Sequence, residues 1–181
     1  MRTAPAVLLA SFLCAGGASA QDAAAPPQPP APTDAECAVF ARELSFAQSV
    51  AAHDAQAFAE HVAAGAAFDA GGPAPLHGRD AITRAWAPIV AGKDLRLEWY
   101  PARTTVAGAG DLAWSTGPAL IEQRAPGAKQ RYLLGRFRSV WQREADGGWR
   151  VLFDDGAPPR PATEAEAAAF RAARPAGCPR G

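Results

Sequence analysis

The spacing of apolar residues changes at Gly92, and this change limits the folds that the chain can adopt. Beyond Gly92, "DLRLEWY" alternates apolar and polar residues, which gives a strand one buried face. Ahead of it, apolar residues recur three and four positions apart, as on one face of a helix; in the first such segment they are Val39, Phe40, Leu44, Ala47 and Val50. Helices followed by a run of antiparallel strands predict an α+β fold in which the helices cover one face of a bent sheet.

Capping residues indicate where each helix begins more closely than the apolar spacing does. Thr33 and Glu36 have the spacing of a capping box for the first helix, and Asp54 is a suitable cap for the second. A second capping box, Thr163 with Glu166, predicts a C-terminal helix. The other expected elements are, in order, a short strand over 66–70, a helix from about Arg79, and strands over 94–100, 112–123, 130–143 and 149–154.

The N-terminus has the features of an export signal followed by a linker. Arg2 supplies a positive start, residues 7–14 are apolar, and Ala18-Ser19-Ala20 is a small-residue cleavage pattern. We therefore expect a signal peptide over 1–20, cleaved after Ala20, and a secreted or periplasmic protein. The expected domain organisation after it is a Pro/Ala-rich extended tether over 21–32, a folded domain over 33–158, and a C-terminal helix and tail over 159–181.

Composition argues against several kinds of partner. Loss of Arg2 with the leader would leave 17 basic against 18 acidic residues, so no nucleic-acid-binding surface is expected. The N-terminal apolar run is far shorter than the roughly 20 residues that span a bilayer, so no membrane span is expected. The three histidines, at positions 53, 61 and 77, lack the spacing of metal ligands, and we expect no metal site.

Two cysteines, Cys37 and Cys178, remain after the expected cleavage removes Cys14. An isolated pair in an oxidising compartment favours a disulfide, which here would tie the first helix to the end of the chain. The alternative is a pair of buried, unpaired thiols.

Several short motifs, in this order and spacing, resemble those of the nuclear transport factor 2-like superfamily. Within it, the chain is similar to a secreted bacterial group called "domain of unknown function 4440", of the SnoaL-like type. The motifs are "HDAQAF" (53–58), "HGRDAI" (77–82) with Trp86, "GDLAWSTG" (110–117), "GRFRSVW" (135–141) and "DGGWRVLFDDG" (146–156).

The resemblance implies a cone in which three N-terminal helices pack on a strongly curved antiparallel sheet, with a cavity between them. Members include ketosteroid isomerases, polyketide cyclases and dehydratases, and others that only bind or dimerise, so the fold does not assign a function. No cofactor is implied. Relatives pair through the outer face of the sheet, which predicts a homodimer here; the residues expected on that face are Arg96, Glu98, Tyr100, Arg136 and Arg138.

Asp69 lies where the isomerase-like relatives carry a general base. A carboxylate at a strand end facing an apolar cavity is a better proton acceptor near neutral pH, because burial disfavours its charged form. By the same alignment, the oxyanion-stabilising positions hold Phe46 and Phe137, which cannot donate a hydrogen bond. The alternative is that Asp69 is a solvated strand end beside a Gly/Pro turn.

The adjacent Asp154 and Asp155 allow two interpretations. If Trp149, Val151 and Phe153 point inward, Asp155 lies at the pocket mouth, where it could form an acid/base couple with Asp69, and Asp154 lies outside. Alternatively, two Asp residues before a Gly mark a turn.

Aromatic residues are the main candidates for lining the cavity. We expect a wall formed by Phe46, Phe58, Trp86, Trp99, Phe137 and Phe153. Such a wall suits a small apolar or aromatic molecule, with Asp69 and Asp155 as its few polar groups. Three functions stay open at this point: a non-catalytic binding domain, an isomerase, cyclase or dehydratase that uses Asp69 as a base, and a ligand-free dimerising accessory domain.

Overall fold

A computed structural model describes residues 30–180 of the chain. The expected signal peptide and most of the expected tether lie outside the described residues. The helices are α1 (Asp34–Ala51), α2 (Ala55–His61), α3 (Arg79–Ala91) and α4 (Glu164–Ala172). The strands are β1 (Val62–Phe68), β2 (Leu76–His77), β3 (Leu95–Trp99), β4 (Arg103–Ala107), β5 (Leu112–Gln123), β6 (Tyr132–Arg143) and β7 (Trp149–Ala162).

The α+β fold expected from the sequence is confirmed. All strands belong to one strongly curved sheet of order β2-β1-β7-β6-β5-β3, and β4 pairs with the first half of β5. The pairing is antiparallel except between β1 and β7, which are parallel. Both predicted capping boxes are present, with Thr33 and Thr163 as the N-caps, and Asp54 caps α2 through a hydrogen bond to the Ala57 amide.

The core fills the space between α1, α2, α3 and the concave face of the sheet. Phe46 of α1 lies at its centre, with its ring 5.3 Å from Phe58 and 5.2 Å from Trp99. Trp86 of α3 stacks on the other side of Phe58 at 5.2 Å. Gly117 of β5 allows the backbone that follows β3 to approach closely, because a Cβ there would lie 2.0 Å from the Tyr100 carbonyl oxygen.

The strands differ from the sequence prediction at β1, β2, β4 and β7. β1 begins at Val62, four residues before the expected start of the strand, and β2 and β4 were not predicted. β7 continues to Ala162 through Pro158, Pro159 and Pro161. The pairing of β7 with β1 ends at Asp154, so beyond it β7 is an edge strand, and Pro158 and Pro159 lie where its register with β6 shifts; edge strands and bulges are the places in a sheet where proline is tolerated.

The C-terminal helix α4 covers part of the convex face of the sheet. Phe170 packs against Tyr100, with ring centroids 4.8 Å apart. Arg171 Nη2 donates hydrogen bonds to Glu98 Oε1 at 2.8 Å and to Glu122 Oε2 at 3.0 Å. Glu98 and Tyr100, expected to be free for pairing with a second copy, are therefore buried beneath α4.

The disulfide between Cys37 and Cys178 is present, with a Cα–Cα distance of 5.3 Å. It fixes the segment after α4 to the first turn of α1, as expected. The bond is consistent with an oxidising compartment such as the periplasm or the extracellular space. Within residues 30–180, no helix is long and apolar enough to cross a membrane.

Candidate functional site

A cavity of about 360 Å³ lies between the helices and the concave side of the sheet. Its walls are mainly apolar, and three carboxyl groups lie along one side. The lining residues are Phe46, Asp69, Trp86, Leu97, Trp99, Ala119, Ile121, Gly135, Arg136, Phe137, Asp154, Asp155, Gly156, Ala157, Pro158 and Pro159. A volume of this size accommodates a small organic molecule.

The structure distributes the residues predicted from sequence over three places. The cavity wall contains Phe46, Trp86, Trp99, Phe137, Asp69 and Asp155. Phe58 is in the core behind this wall, fully buried between Phe46 and Trp86. Phe153 is on the opposite face of the sheet, where its side chain is 44% exposed.

A β-bulge explains why Phe153 and Asp154 have exchanged their predicted sides. On β6, Val140 pairs with Phe153 and Trp141 pairs with Val151, so Leu152 has no partner. The extra residue shifts the alternation by one position. Phe153 therefore points outward and Asp154 inward, the reverse of the register assumed from the sequence.

Asp154 is the most perturbed acid of the cavity wall. Ser139 Oγ donates a hydrogen bond of 2.7 Å to Asp154 Oδ2. The pKa of Asp154 is raised to about 8, mainly by burial of the carboxyl and further by the nearby carboxyls of Glu43, Asp69 and Asp155, against the opposing effect of the Ser139 hydrogen bond. The group is therefore largely neutral at neutral pH and is placed to donate a hydrogen bond or a proton.

A second carboxyl, that of Glu43, lies behind the cavity wall and is completely buried. Its two oxygens accept hydrogen bonds from two indole N–H groups, that of Trp99 at 2.7 Å and that of Trp141 at 2.8 Å. Burial raises the pKa of Glu43, although these indoles and the hydroxyls of Ser115 and Ser139 favour its charged form. Ser139 thus bonds to the Asp154 carboxyl and favours the charged form of the Glu43 carboxyl.

The sheet register brings this polar cluster together. Ser115 of β5, Ser139 of β6 and Asp154 of β7 are consecutive cross-strand neighbours on the inward face. The side chain of Glu43, on α1, packs against this face of the sheet. The Ser115 hydroxyl is buried and makes no hydrogen bond of standard geometry within the described residues, although it is close enough to Glu43 to lower the pKa of that carboxyl.

Sequence reasoning missed Glu43, Ser139 and Asp154. Glu43 follows Val39 and Phe40 and precedes Phe46 and Ala47 at helical spacing, so it falls on the apolar face of α1. A charged residue in that position requires buried partners, and this was the available signal. Asp154 had no comparable signal, because its direction depends on the bulge.

Asp69 lies at the rim of the cavity. It is exposed and has a left-handed backbone conformation with φ of 54°, which starts the turn after β1. Its amide donates to the Asp154 carbonyl at 2.9 Å, and its own carbonyl accepts from Gly72 at 2.8 Å. Asp69 thus lies at a solvated strand end beside a turn, which was the alternative to a general base. It also contributes to the cavity wall.

The histidines do not join this site. His61 of α2 is buried and forms a hydrogen bond with the Ser45 hydroxyl at 2.9 Å, and burial lowers its pKa to about 4. His53 bonds to the Val90 carbonyl at 2.7 Å, and His77 is exposed on β2. In the part of the chain that the structure describes, no three His, Cys, Asp or Glu side chains are grouped to hold a metal ion.

Comparison with solved structures agrees with the observed fold. A nuclear transport factor 2-like protein of unknown function from Pseudomonas putida shares 20% identity with a TM-score of 0.55, covering 72% of this chain and 90% of that one. A ketosteroid isomerase-like protein from Erwinia carotovora atroseptica shares 11% identity with a TM-score of 0.57, covering 69% and 98%. A candidate scytalone dehydratase from Novosphingobium aromaticivorans shares 13% identity with a TM-score of 0.56, covering 70% and 86%.

The sequence comparisons specify the family. No curated protein is similar enough to count as a relative. The model of the SnoaL-like domain, by contrast, matches residues 42–156, which is more than half of the chain. The match includes β1 to β6 and the first half of β7, with Asp154 and Asp155. Together with the curved sheet and its cavity, this match shows that the chain belongs to the SnoaL-like domain family of the nuclear transport factor 2-like superfamily.

Proposed function

We propose that this protein is an exported binding domain for a small, flat, largely apolar molecule that carries one hydroxyl or carbonyl group. The observation that supports this most is the cavity, whose walls are mainly aromatic and aliphatic and whose few polar groups include the Asp154 carboxyl, held by Ser139. Apolar walls with one or two placed polar groups are typical of small-molecule sites.

The position of Asp154 specifies the polar contact. A neutral carboxyl can donate a hydrogen bond to a ligand oxygen and can also accept one. The aromatic rings of Trp86, Trp99 and Phe137 offer faces and edges for a planar ligand. The exposed carboxyl of Asp69 at the rim faces water and adds little to affinity.

Binding is testable with 2-naphthol, which is flat, aromatic and carries one hydroxyl. Trp86 and Trp99 line the cavity, so their fluorescence should change saturably on titration. The Ala119→Leu variant narrows the cavity from β5, and we expect at least a tenfold loss of affinity. Phe153→Ala, on the convex face, is the matched control and should bind as the wild type does. Equal affinity of all three proteins would refute binding in this cavity.

A second function, proton-transfer catalysis of the isomerase, cyclase or dehydratase type, is favoured by one observation. The pKa of Asp154, about 8, is suited to a general acid or base near neutral pH. Asp69 at the rim is the alternative base, as the resemblance implies. Phe46 and Phe137 lie in the cavity wall and offer no hydrogen-bond donor to a developing oxyanion, so Asp154 itself would have to supply one.

The enzymatic alternative has its own test. With any substrate found by screening, loss of a general acid or base in Asp154→Asn should slow turnover by roughly 10²–10⁴-fold, with little change in binding. Asp69→Asn should have the larger effect if Asp69 is the base. Unchanged turnover in both variants would exclude this mechanism.

Export and pairing complete the proposal. The predicted leader and the disulfide both support a secreted or periplasmic location.

The convex face also bears an exposed apolar row of Trp114, Val140 and Phe153, directly opposite one another on β5, β6 and β7. Trp114 and Phe153 are 40% and 44% exposed, and this row, away from α4, is the surface on which a second copy would pair.

Two measurements test export and dimer formation. The mass of protein recovered from the periplasm or the medium should correspond to cleavage after Ala20, and retention of the leader would refute export. Sedimentation at tens of micromolar should show a dimer, converted to a monomer by Trp114→Arg. A dimer without ligand in a protein that binds nothing would favour the accessory-domain alternative, and a wild-type monomer would refute pairing.

A further inference from the structure

Behind the cavity wall, a continuous line of polar groups leads from the core to the ligand site. We propose that Glu43, Ser139 and Asp154 form a proton relay, in which the two carboxyls share protons through the Ser139 hydroxyl and Glu43 acts as an internal reservoir for Asp154. Glu43 does not line the cavity, so it is a positioning residue and not a group that touches the ligand.

The geometry supports a connection and not merely two separate buried acids. Ser139 is fully buried, and its hydroxyl donates to Asp154 at 2.7 Å. Ser139 and Trp141 lie two residues apart on the inward face of β6, and Trp141 donates to Glu43, so the Ser139 hydroxyl lies beside the Glu43 carboxyl, whose charged form it favours. A serine oxygen can donate one hydrogen bond while accepting another, so it can link a protonated Glu43 to an ionised Asp154.

The transfer balances without any other reactant. When Asp154 has given its proton to a ligand or to water, the Glu43 O–H donates its proton to Ser139 Oγ. Ser139 passes its own hydroxyl proton to Asp154 Oδ2. Asp154 becomes a carboxylic acid again, Glu43 becomes a carboxylate, and Ser139 is unchanged.

The indole groups make the charged form of Glu43 accessible. Its two oxygens accept hydrogen bonds from Trp99 and Trp141, both of which favour the carboxylate. A buried carboxylate without donors would be too unstable to act as a reservoir. The indoles also act as reporters, because their N–H groups bond directly to the carboxyl whose charge would change.

Other charged groups around Asp154 set the background for its titration. The carboxyls of Asp69, after β1, and Asp155, on β7, disfavour its ionised form, as does Glu43 from α1. On β6, Arg136 lines the cavity and Arg138 is paired opposite Asp155, both with exposed side chains. Asp155 is thus a carboxyl neighbour of Asp154 that has no bond to Ser139, which makes it a suitable control.

The relay is testable on the ligand-free, full-length mature protein by ¹⁵N NMR of the tryptophan indoles over pH. If the carboxyls share protons, the Trp99 and Trp141 signals should titrate in two steps, with midpoints that belong to the pair. Asp154→Asn should reduce them to a single step. Ser139→Ala should shrink the step that originates at Asp154 by at least half. Asp155→Asn and Ser115→Ala, the matched controls, should retain both steps.

Two results would overturn the relay. One is a single indole step in the wild type that Asp154→Asn leaves unchanged, since Glu43 would then titrate alone. The other is an unchanged two-step curve in folded Ser139→Ala, since the coupling would then not pass through the hydroxyl. If Ser139→Ala does not fold, Ser139→Gly, which also removes the hydroxyl and adds no atoms, replaces it in this comparison. Because no ligand is used, failure here is distinguishable from failure of the proposed binding function, on which the relay's purpose rests.

Discussion

Replacing Asp154 by Asn should make the protein more stable at alkaline pH. The change is nearly isosteric, and the amide oxygen can still accept the Ser139 hydrogen bond. What it removes is an acid whose folded-state pKa, about 8, is far above its ordinary value of 3.8. In the wild type, ionisation of this carboxyl therefore destabilises the folded state relative to the unfolded state. The variant has no ionisable group at this position, so it carries no such penalty.

The sign follows from proton linkage. Below about pH 4 the Asp154 carboxyl is protonated in both the folded and the unfolded chain, so it imposes no penalty. As pH rises towards 8, the unfolded chain ionises while the folded chain does not, and stability is lost. The interval between 3.8 and about 8 is roughly four pKa units, and at 1.36 kcal/mol each this amounts to at most about 6 kcal/mol.

Urea unfolding at a series of pH values measures this term, with the disulfide kept intact. The free energy of unfolding of Asp154→Asn minus that of the wild type should rise steadily between about pH 4 and pH 8 and then level off. Phe153→Ala, the exposed neighbour of Asp154 on the outer face of the sheet, removes no ionisable group and is the control; its difference from the wild type should not change with pH. Parallel curves for Asp154→Asn and the wild type across this range would refute the assignment of a buried, neutral Asp154.

Three further changes test other parts of the account. Removing the disulfide by Cys37→Ser with Cys178→Ser should lower the free energy of unfolding by about 2 to 5 kcal/mol, because the bond closes a long loop; an unchanged urea midpoint would contradict this. Phe170→Ala should lower it by about 3 kcal/mol by emptying the contact with Tyr100, whereas Lys129→Ala, at an exposed position, should change it by less than about 1 kcal/mol, and equal effects would refute the docking of α4. Asp69→Asn should change 2-naphthol affinity by about 1 kcal/mol or less, and a larger loss in the fluorescence titration would place Asp69 in the binding contact.

The fold was predictable because its signals are local and repeated. The capping boxes at Thr33 and Thr163 and the change of period at Gly92 are properties of short segments, and each is present in the structure. The disulfide was predictable from two remaining cysteines. The extension of β7 through its prolines was not, because it depends on β1 ending opposite Asp154, a fact about another strand.

The polar part of the site was not predictable for the same physical reason. The aromatic wall follows from residue type, since Phe46, Trp86 and Trp99 have few stable places other than the core. The direction of Asp154 depends on one unpaired residue, Leu152, and strict alternation gives the wrong answer beyond it. Glu43 was visible as an acid on an apolar helix face, but its indole partners come from β3 and β6.

The central claim is that the cavity wall contains a carboxyl held neutral near neutral pH, and ¹³C NMR of the aspartate carboxyl carbons tests it most directly. The signal absent from Asp154→Asn identifies the residue, and its chemical shift is followed over pH in the ligand-free protein. We expect its main titration with a midpoint near 8. A single midpoint near the ordinary aspartate value of about 4 would contradict the account, because Asp154 would then be an ordinary solvated carboxylate.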